Sequence, residues 1–214
     1  MGFLPISAND NATAPLLVKR VPALHSPDSR QERYRDPANI KRSQADNLFQ
    51  ADEHAARIGL PLDRFVTVAW LLTGTGHLSA DAWQRGRNRI CQWIRDRGGK
   101  VAFIWTHENP TSASGDDIPN THILVHLPGH ISKTAFARQV ETAFDALDGG
   151  VDVQPRVIGD NDDTRLNYMI KGASQQTCWA YGGRRKRGGQ GIVPIKRCGT
   201  SQNIGRAARE GAQT

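Results

Sequence analysis

At 214 residues, 38% of them hydrophobic, the chain is long enough to bury one core of ordinary size with extensions around it. Its net charge of +7 is concentrated at one end: from Lys171 onward nine Lys or Arg stand against the single acidic Glu210, which leaves the first 170 residues nearly neutral and points that end at a polyanion, with nucleic acid favoured because no amphipathic basic helix is present. No stretch approaches the roughly 20 apolar residues that span a bilayer, and the opening MGFLPISAND is no secretory leader, so a cytoplasmic protein with no membrane partner is expected.

The three cysteines, Cys91, Cys178 and Cys198, show no CxxC spacing, which argues against a disulfide scaffold and a zinc finger. Residues 1–35 carry Pro5, Pro15, Pro22 and Pro27 among polar residues without a sustained period, as suits a flexible arm. From Asp36 to Pro61, a proline at the start and a Gly and Pro at the end predict an accessory helix.

The core begins at RFVTVAWLL, a β-branched and aromatic run that reads as a buried strand. Ser79 then caps a helix with Trp83, Ile90 and Ile94 on one stripe, stopped by Gly98-Gly99. VAFIWTHE is a second strand, NPTSASGDDIP a loop of turn residues, and NTHILVH a third strand. Ser132 caps a second helix with Phe136, Val140, Ala143, Phe144 and Leu147 at amphipathic spacing, ended by Gly149-Gly150, and VDVQPRVI is a fourth strand that Pro155 assigns to a sheet edge.

The order β-α-β-β-α-β is that of a ferredoxin-like α+β sandwich, an antiparallel sheet with two helices on one face and the other face expected open. Alternation places Val101, Phe103 and Trp105 toward the helices and Glu108 on the open face. In the third strand Thr121, Ile123, Val125 and Leu127 form the apolar side, while Asn120, His122, Leu124 and His126 share the other. A carboxylate, an amide and an imidazole are thus expected to converge at Glu108, Asn120 and His122, with His107 as the rival to Glu108 if the register slips by one.

After the sheet, DDTRLNYMIKGAS predicts another helix, with Leu166, Met169, Ile170 and Ala173 on its apolar face and with Tyr168 and Lys171 three apart on its surface. The succession FVTVAW, then E…NTHILVH, then NYMIK resembles the HUH endonucleases, the rolling-circle replication initiators and relaxases, over about residues 62–175. KRCGTSQNIGRAAR near the end is similar to the closing segment of bacterial Rep-like proteins. The resemblance implies that Tyr168 is a nucleophile toward single-stranded DNA at an origin or hairpin, assisted by Lys171. It also implies that Glu108, Asn120 and His122 face Mg²⁺ or Mn²⁺. Asn120 stands where the family has its first metal histidine, and an amide oxygen is a weaker ligand that such hard cations still accept.

The remaining residues, 176–214, form a basic C-terminal segment. There Trp179 and Tyr181 precede Arg184, Arg185, Lys186 and Arg187, a pairing of base-stacking rings with phosphate-tracking cations that suits single strands; the same run also reads as a solvated charge tract. With no GxxxxGK[ST] motif, unwinding would fall to a separate helicase. Two rival functions share this pattern: a non-catalytic DNA- or RNA-binding protein of the same fold, and a Rep-like transposase or relaxase using the same chemistry.

Overall fold

A computed structural model describes residues 39–156, 164–181 and 190–211. The predicted N-terminal arm and the run Arg184, Arg185, Lys186 and Arg187 lie outside the described residues.

The elements follow the sequence order: α1 (Arg42–Arg57), β1 (Arg64–Ala69), α2 (Ala80–Arg95), β2 (Phe103–Glu108), β3 (Asn120–Val125), α3 (Lys133–Phe144), β4 (Val151–Pro155), α4 (Thr164–Met169), α5 (Gln175–Ala180), β5 (Cys198–Thr200) and α6 (Arg206–Gly211). Both predicted serine caps are in place, since Ser79 accepts from the backbone N–H of Ala82 and Ser132 from that of Ala135. The sheet runs β4-β1-β3-β2-β5 with every pairing antiparallel, a ferredoxin-like sheet extended by one strand. β4 lies at one edge, where the missing N–H of Pro155 is tolerated.

On one face of the sheet, Val66, Val68, Phe103, Trp105, Ile123 and Val125 pack against Trp83, Ile90 and Ile94 of α2 and Phe136, Val140 and Phe144 of α3. The two helices approach so closely that a Cβ on Gly86 would fall 2.2 Å from the Phe144 ring. The same side carries a chain of buried polar groups. Trp70 Nε1 donates to Thr121 Oγ1 at 2.7 Å, and Thr121 Oγ1 lies 2.7 Å from His107 Nδ1. Thr121 Oγ1 thus joins the Trp70 indole to the His107 imidazole through one hydroxyl, which can donate to one neighbour while it accepts from another.

The expectation of an open second face is corrected. Phe65, Ile104 and Leu124 on that face are sealed under Ala45, Leu48, Ala51 and Ala55 of α1, with Leu166, Met169, Ile170 and Ala173 from the region of α4. The sequence supplies enough apolar surface on these two segments to form a second core, so α1 is a layer of the domain and not an accessory to it. The predicted helix over residues 36–61 is shorter than expected, beginning at Arg42 behind Lys41. The helix carrying Tyr168 also ends early, at Met169, and Ile170–Gly172 form turns.

β5 and the chain leading into it cover the free edge of β2. His107 N donates to Arg197 O at 2.7 Å, Asn109 N to Gln190 O at 2.9 Å, and Arg197 Nη1 to His107 O at 3.4 Å. An edge paired in this way no longer offers its backbone to another chain. The space is tight at Gly199, where a Cβ would lie 2.4 Å from the Trp105 ring. All three cysteines are free and buried, and among the described residues no helix is long and apolar enough to cross a membrane.

Candidate active site

The register of β2 against β3 sets Glu108 opposite Asn120 and Thr106 opposite His122, while β1 sets Thr67 opposite His122 on its other side. Opposed residues of antiparallel strands point to the same face, so Glu108, Asn120, His122 and Thr67 share one side of the sheet. His107, one step out of phase, is fully buried beneath Trp83 on the opposite side and is no rival for Glu108. Burial pushes its pKa down to about 3, helped by the nearby charges of Arg197 and His122, so it stays a neutral packing group.

Above this patch sit α4 and the turn that follows it. Lys171 Nζ lies 2.7 Å from Glu108 Oε2, and His122 Nε2 approaches the same oxygen at 3.2 Å. Glu108, His122 and Lys171 are 3%, 4% and 5% exposed, so the pair and its imidazole neighbour are shielded from bulk water. The Tyr168 ring stands edge-on to His122, with centroids 4.9 Å apart, and edge-on to Phe65. Lys171 Nζ is 3.4 Å from the centre of the Tyr168 ring, in cation–π contact. The turn bearing Lys171 is anchored by two backbone bonds, Lys171 N to Tyr168 O at 3.2 Å and Ile40 N to Gly172 O at 3.1 Å.

The electrostatics follow from burial and pairing. Burial raises the Glu108 carboxyl, but the hydrogen bonds and charges of His122 and Lys171 outweigh it and hold the group below its usual range. For Lys171 burial wins: it lowers the ammonium's pKa against the opposing pull of Glu108. A carboxylate oxygen can only accept, so His122 donates from Nε2, and in the neutral ring Nδ1 accepts from the Thr67 hydroxyl 3.1 Å away.

No family model, curated protein or solved structure matches this chain.

Of the predicted site residues, the fold brings together Glu108, His122, Tyr168 and Lys171. Asn120 is adjacent in register, with its Nδ2 donating to Ile118 O at 2.9 Å. Trp179 is an exposed ring, at 67%. Tyr181 is not open in this way, which corrects its assignment as a base-stacking residue. Its ring is stacked on Phe49 at 3.9 Å with Arg42 on it, and its hydroxyl donates to Asp46. An aromatic face already covered by a ring and a guanidinium is not free for a nucleobase. His126 is likewise structural, with Nδ1 2.9 Å from Pro61 O.

The donors around Glu108 meet the preferences of Mg²⁺ or Mn²⁺ only in part. Glu108 Oε1 is buried without a hydrogen-bond partner and offers a hard cation one oxygen, whereas His122 Nε2 carries the proton it donates to Glu108 and would ligate only after giving that proton up. Among the described residues no three His, Cys, Asp or Glu gather into a metal-sized group. The protein's share would be Glu108, His122 and the Asn120 amide oxygen.

Two residues of the site were not singled out from the sequence. Thr67 orients His122, and alternation along FVTVAW does put it opposite the apolar Val66 and Val68, so a signal existed. Arg197 pins the end of β2 through the backbone of His107, and a lone arginine in a basic tail carries no signal for that role.

Proposed function

We propose that the chain is a Rep-like replication initiator that nicks single-stranded DNA by tyrosine attack, acting in the cytoplasm with a separate helicase. The observation that carries this reading is the position of Lys171, whose ammonium touches both the Glu108 carboxylate and the Tyr168 ring. The residue order suggestive in sequence is supported by proximity, since Lys171 and His122 each touch both the Glu108 carboxylate and the Tyr168 ring.

In the proposed reaction the Tyr168 oxygen attacks the scissile phosphorus, a P–O bond to tyrosine forms and the P–O3′ bond breaks. The products are a 5′-phosphotyrosine on the protein and a free 3′-hydroxyl, whose proton is balanced by the one the phenol gives up. A phenol titrates near 10 and is a poor nucleophile at neutral pH unless a cation stabilises its ionised form. Lys171 is the cation in place. Glu108 holds that ammonium, Thr67 and Glu108 hold His122 from its two nitrogens, and His122 and Phe65 buttress the tyrosine ring. Mg²⁺ or Mn²⁺ held by Glu108, His122 and Asn120 would supply charge neutralisation at the non-bridging phosphate oxygens. Trp179 and the cations Arg184, Arg185, Lys186 and Arg187 would carry the strand.

The test is incubation of the protein with a pool of single-stranded oligonucleotides in Mg²⁺ or Mn²⁺, followed by a denaturing gel. A covalent adduct through Tyr168 supports the reading. Salt-sensitive binding with no adduct in either metal would replace it with the non-catalytic nucleic-acid binder.

A further inference from the structure

The side chains that would face a divalent cation already hold one another and the backbone. His122 Nε2 is turned to Glu108 Oε2, the same oxygen receives Lys171 Nζ at 2.7 Å, and the Asn120 amide is tied through Nδ2 to Ile118 O. Glu108 Oε1 is buried without a hydrogen-bond partner. A dication bound to this carboxylate would stand within a few ångströms of an ammonium that has almost no water to screen it. The two cations therefore oppose each other at one carboxylate.

We propose that Lys171 is the resident cation of the site and excludes Mg²⁺ or Mn²⁺ from Glu108, so that a divalent ion enters only when the ammonium moves away. The movement asked of Lys171 is one of its side chain, because its backbone is anchored. Lys171 lies beyond the last helical residue, Met169, in a turn, and its ammonium already rests on the Tyr168 ring, where the phosphate under attack would arrive. A DNA phosphate there is the natural alternative anion for Lys171. Transferring the ammonium from Glu108 to that phosphate frees a carboxylate, and metal and DNA then strengthen each other's binding by the same factor.

The inference rests on Glu108 and His122 as the metal-facing pair in the proposed function, and it does not require cleavage. It is tested by the affinity of the full chain for Mn²⁺ without DNA, measured by electron paramagnetic resonance of the free ion. Lys171→Met should bind Mn²⁺ at least about tenfold more tightly than the wild type, a difference of about 1.4 kcal/mol. Lys171→Arg, which keeps the charge, should stay at the wild-type level, and Glu108→Gln in the Lys171→Met background should remove the gain. An unchanged or weakened affinity in Lys171→Met overturns the proposal. If Lys171→Met does not fold, the wild type decides: the ammonium signal of Lys171 in nitrogen-15 spectra should persist through a millimolar Mg²⁺ titration without DNA, and its loss to Mg²⁺ alone overturns the proposal. A tighter Mn²⁺ site in Lys171→Met without any covalent DNA adduct in the wild type would keep this inference and discard the nuclease. An adduct with no gain in Mn²⁺ affinity would do the reverse.

Discussion

Lys171 and Glu108 form an ion pair 2.7 Å long in which both side chains are almost wholly buried, one from a turn after α4 and the other from the last residue of β2. Such a pair ties the tyrosine-bearing segment to the sheet, and its energetics are asymmetric. Removing one partner leaves the other buried and uncompensated, at a cost of about 3–5 kcal/mol, whereas removing both costs much less. Lys171→Met and Glu108→Gln should each lower the urea midpoint, and the double variant should be less destabilised than the sum of the singles. Additive losses would mean that the two groups do not depend on each other.

The Tyr168 hydroxyl should matter for chemistry and little for folding. Tyr168→Phe keeps the ring that packs on His122, Phe65 and Lys171, so its unfolding free energy is expected within about 1 kcal/mol of the wild type. The covalent adduct should vanish while single-strand affinity stays nearly unchanged. An adduct that survives in Tyr168→Phe would move the nucleophile elsewhere.

The central sandwich was legible in the sequence because its strands and two helices have clean periods and capped ends, as Ser79 and Ser132 show. Alternation alone then placed Glu108 and His122 on the face away from α2 and α3. What the sequence did not reveal was that this face is covered. The apolar stripe Ala45, Leu48, Ala51 and Ala55 of α1 fits a surface helix as well as a core layer, and periodicity says nothing about which sheet face receives it. The three-residue β5 was missed for another reason: Cys198, Gly199 and Thr200 have no strand period, and they become a strand only by pairing with β2. Tyr181 misled because an aromatic next to a cation run suits stacking on bases and stacking on Phe49 equally well.

His107 makes the fold sensitive to acid. Its folded pKa is pushed down to about 3 by burial, whereas in the unfolded chain it titrates near 6.5, so the unfolded state gains a proton first as pH falls. Stability from this group is complete above about pH 6.5 and declines by about 1.4 kcal/mol per pH unit below it, until the folded state also protonates near pH 3. His54, also lowered by burial, acts in the same direction. Glu108, held below its usual range in the fold, adds a further loss as pH falls below the ordinary carboxylate range. Urea unfolding from pH 7.5 to pH 4 should show this decline, and His107→Gln should reduce its slope by about one proton. An unchanged slope in that variant would show that His107 does not set the acid limit.

Strand binding should separate the two aromatic residues that precede the basic run. Trp179 is exposed, so Trp179→Ala should leave the thermal midpoint in place and weaken binding by about 1–3 kcal/mol, the range for one stacked base. Tyr181 is held by Phe49, Arg42 and Asp46, so Tyr181→Ala should lower stability while the folded fraction binds with undiminished affinity. Neutralising Arg184, Arg185, Lys186 and Arg187 together should weaken binding and flatten its log–log salt dependence by about 0.7 for each lost single-strand phosphate contact. Adduct formation at saturating DNA should persist in that variant, because the cation beside the nucleophile is Lys171. A salt slope equal to the wild type would remove the four cations from the strand path, and a lost adduct at saturation would place one of them in the chemistry.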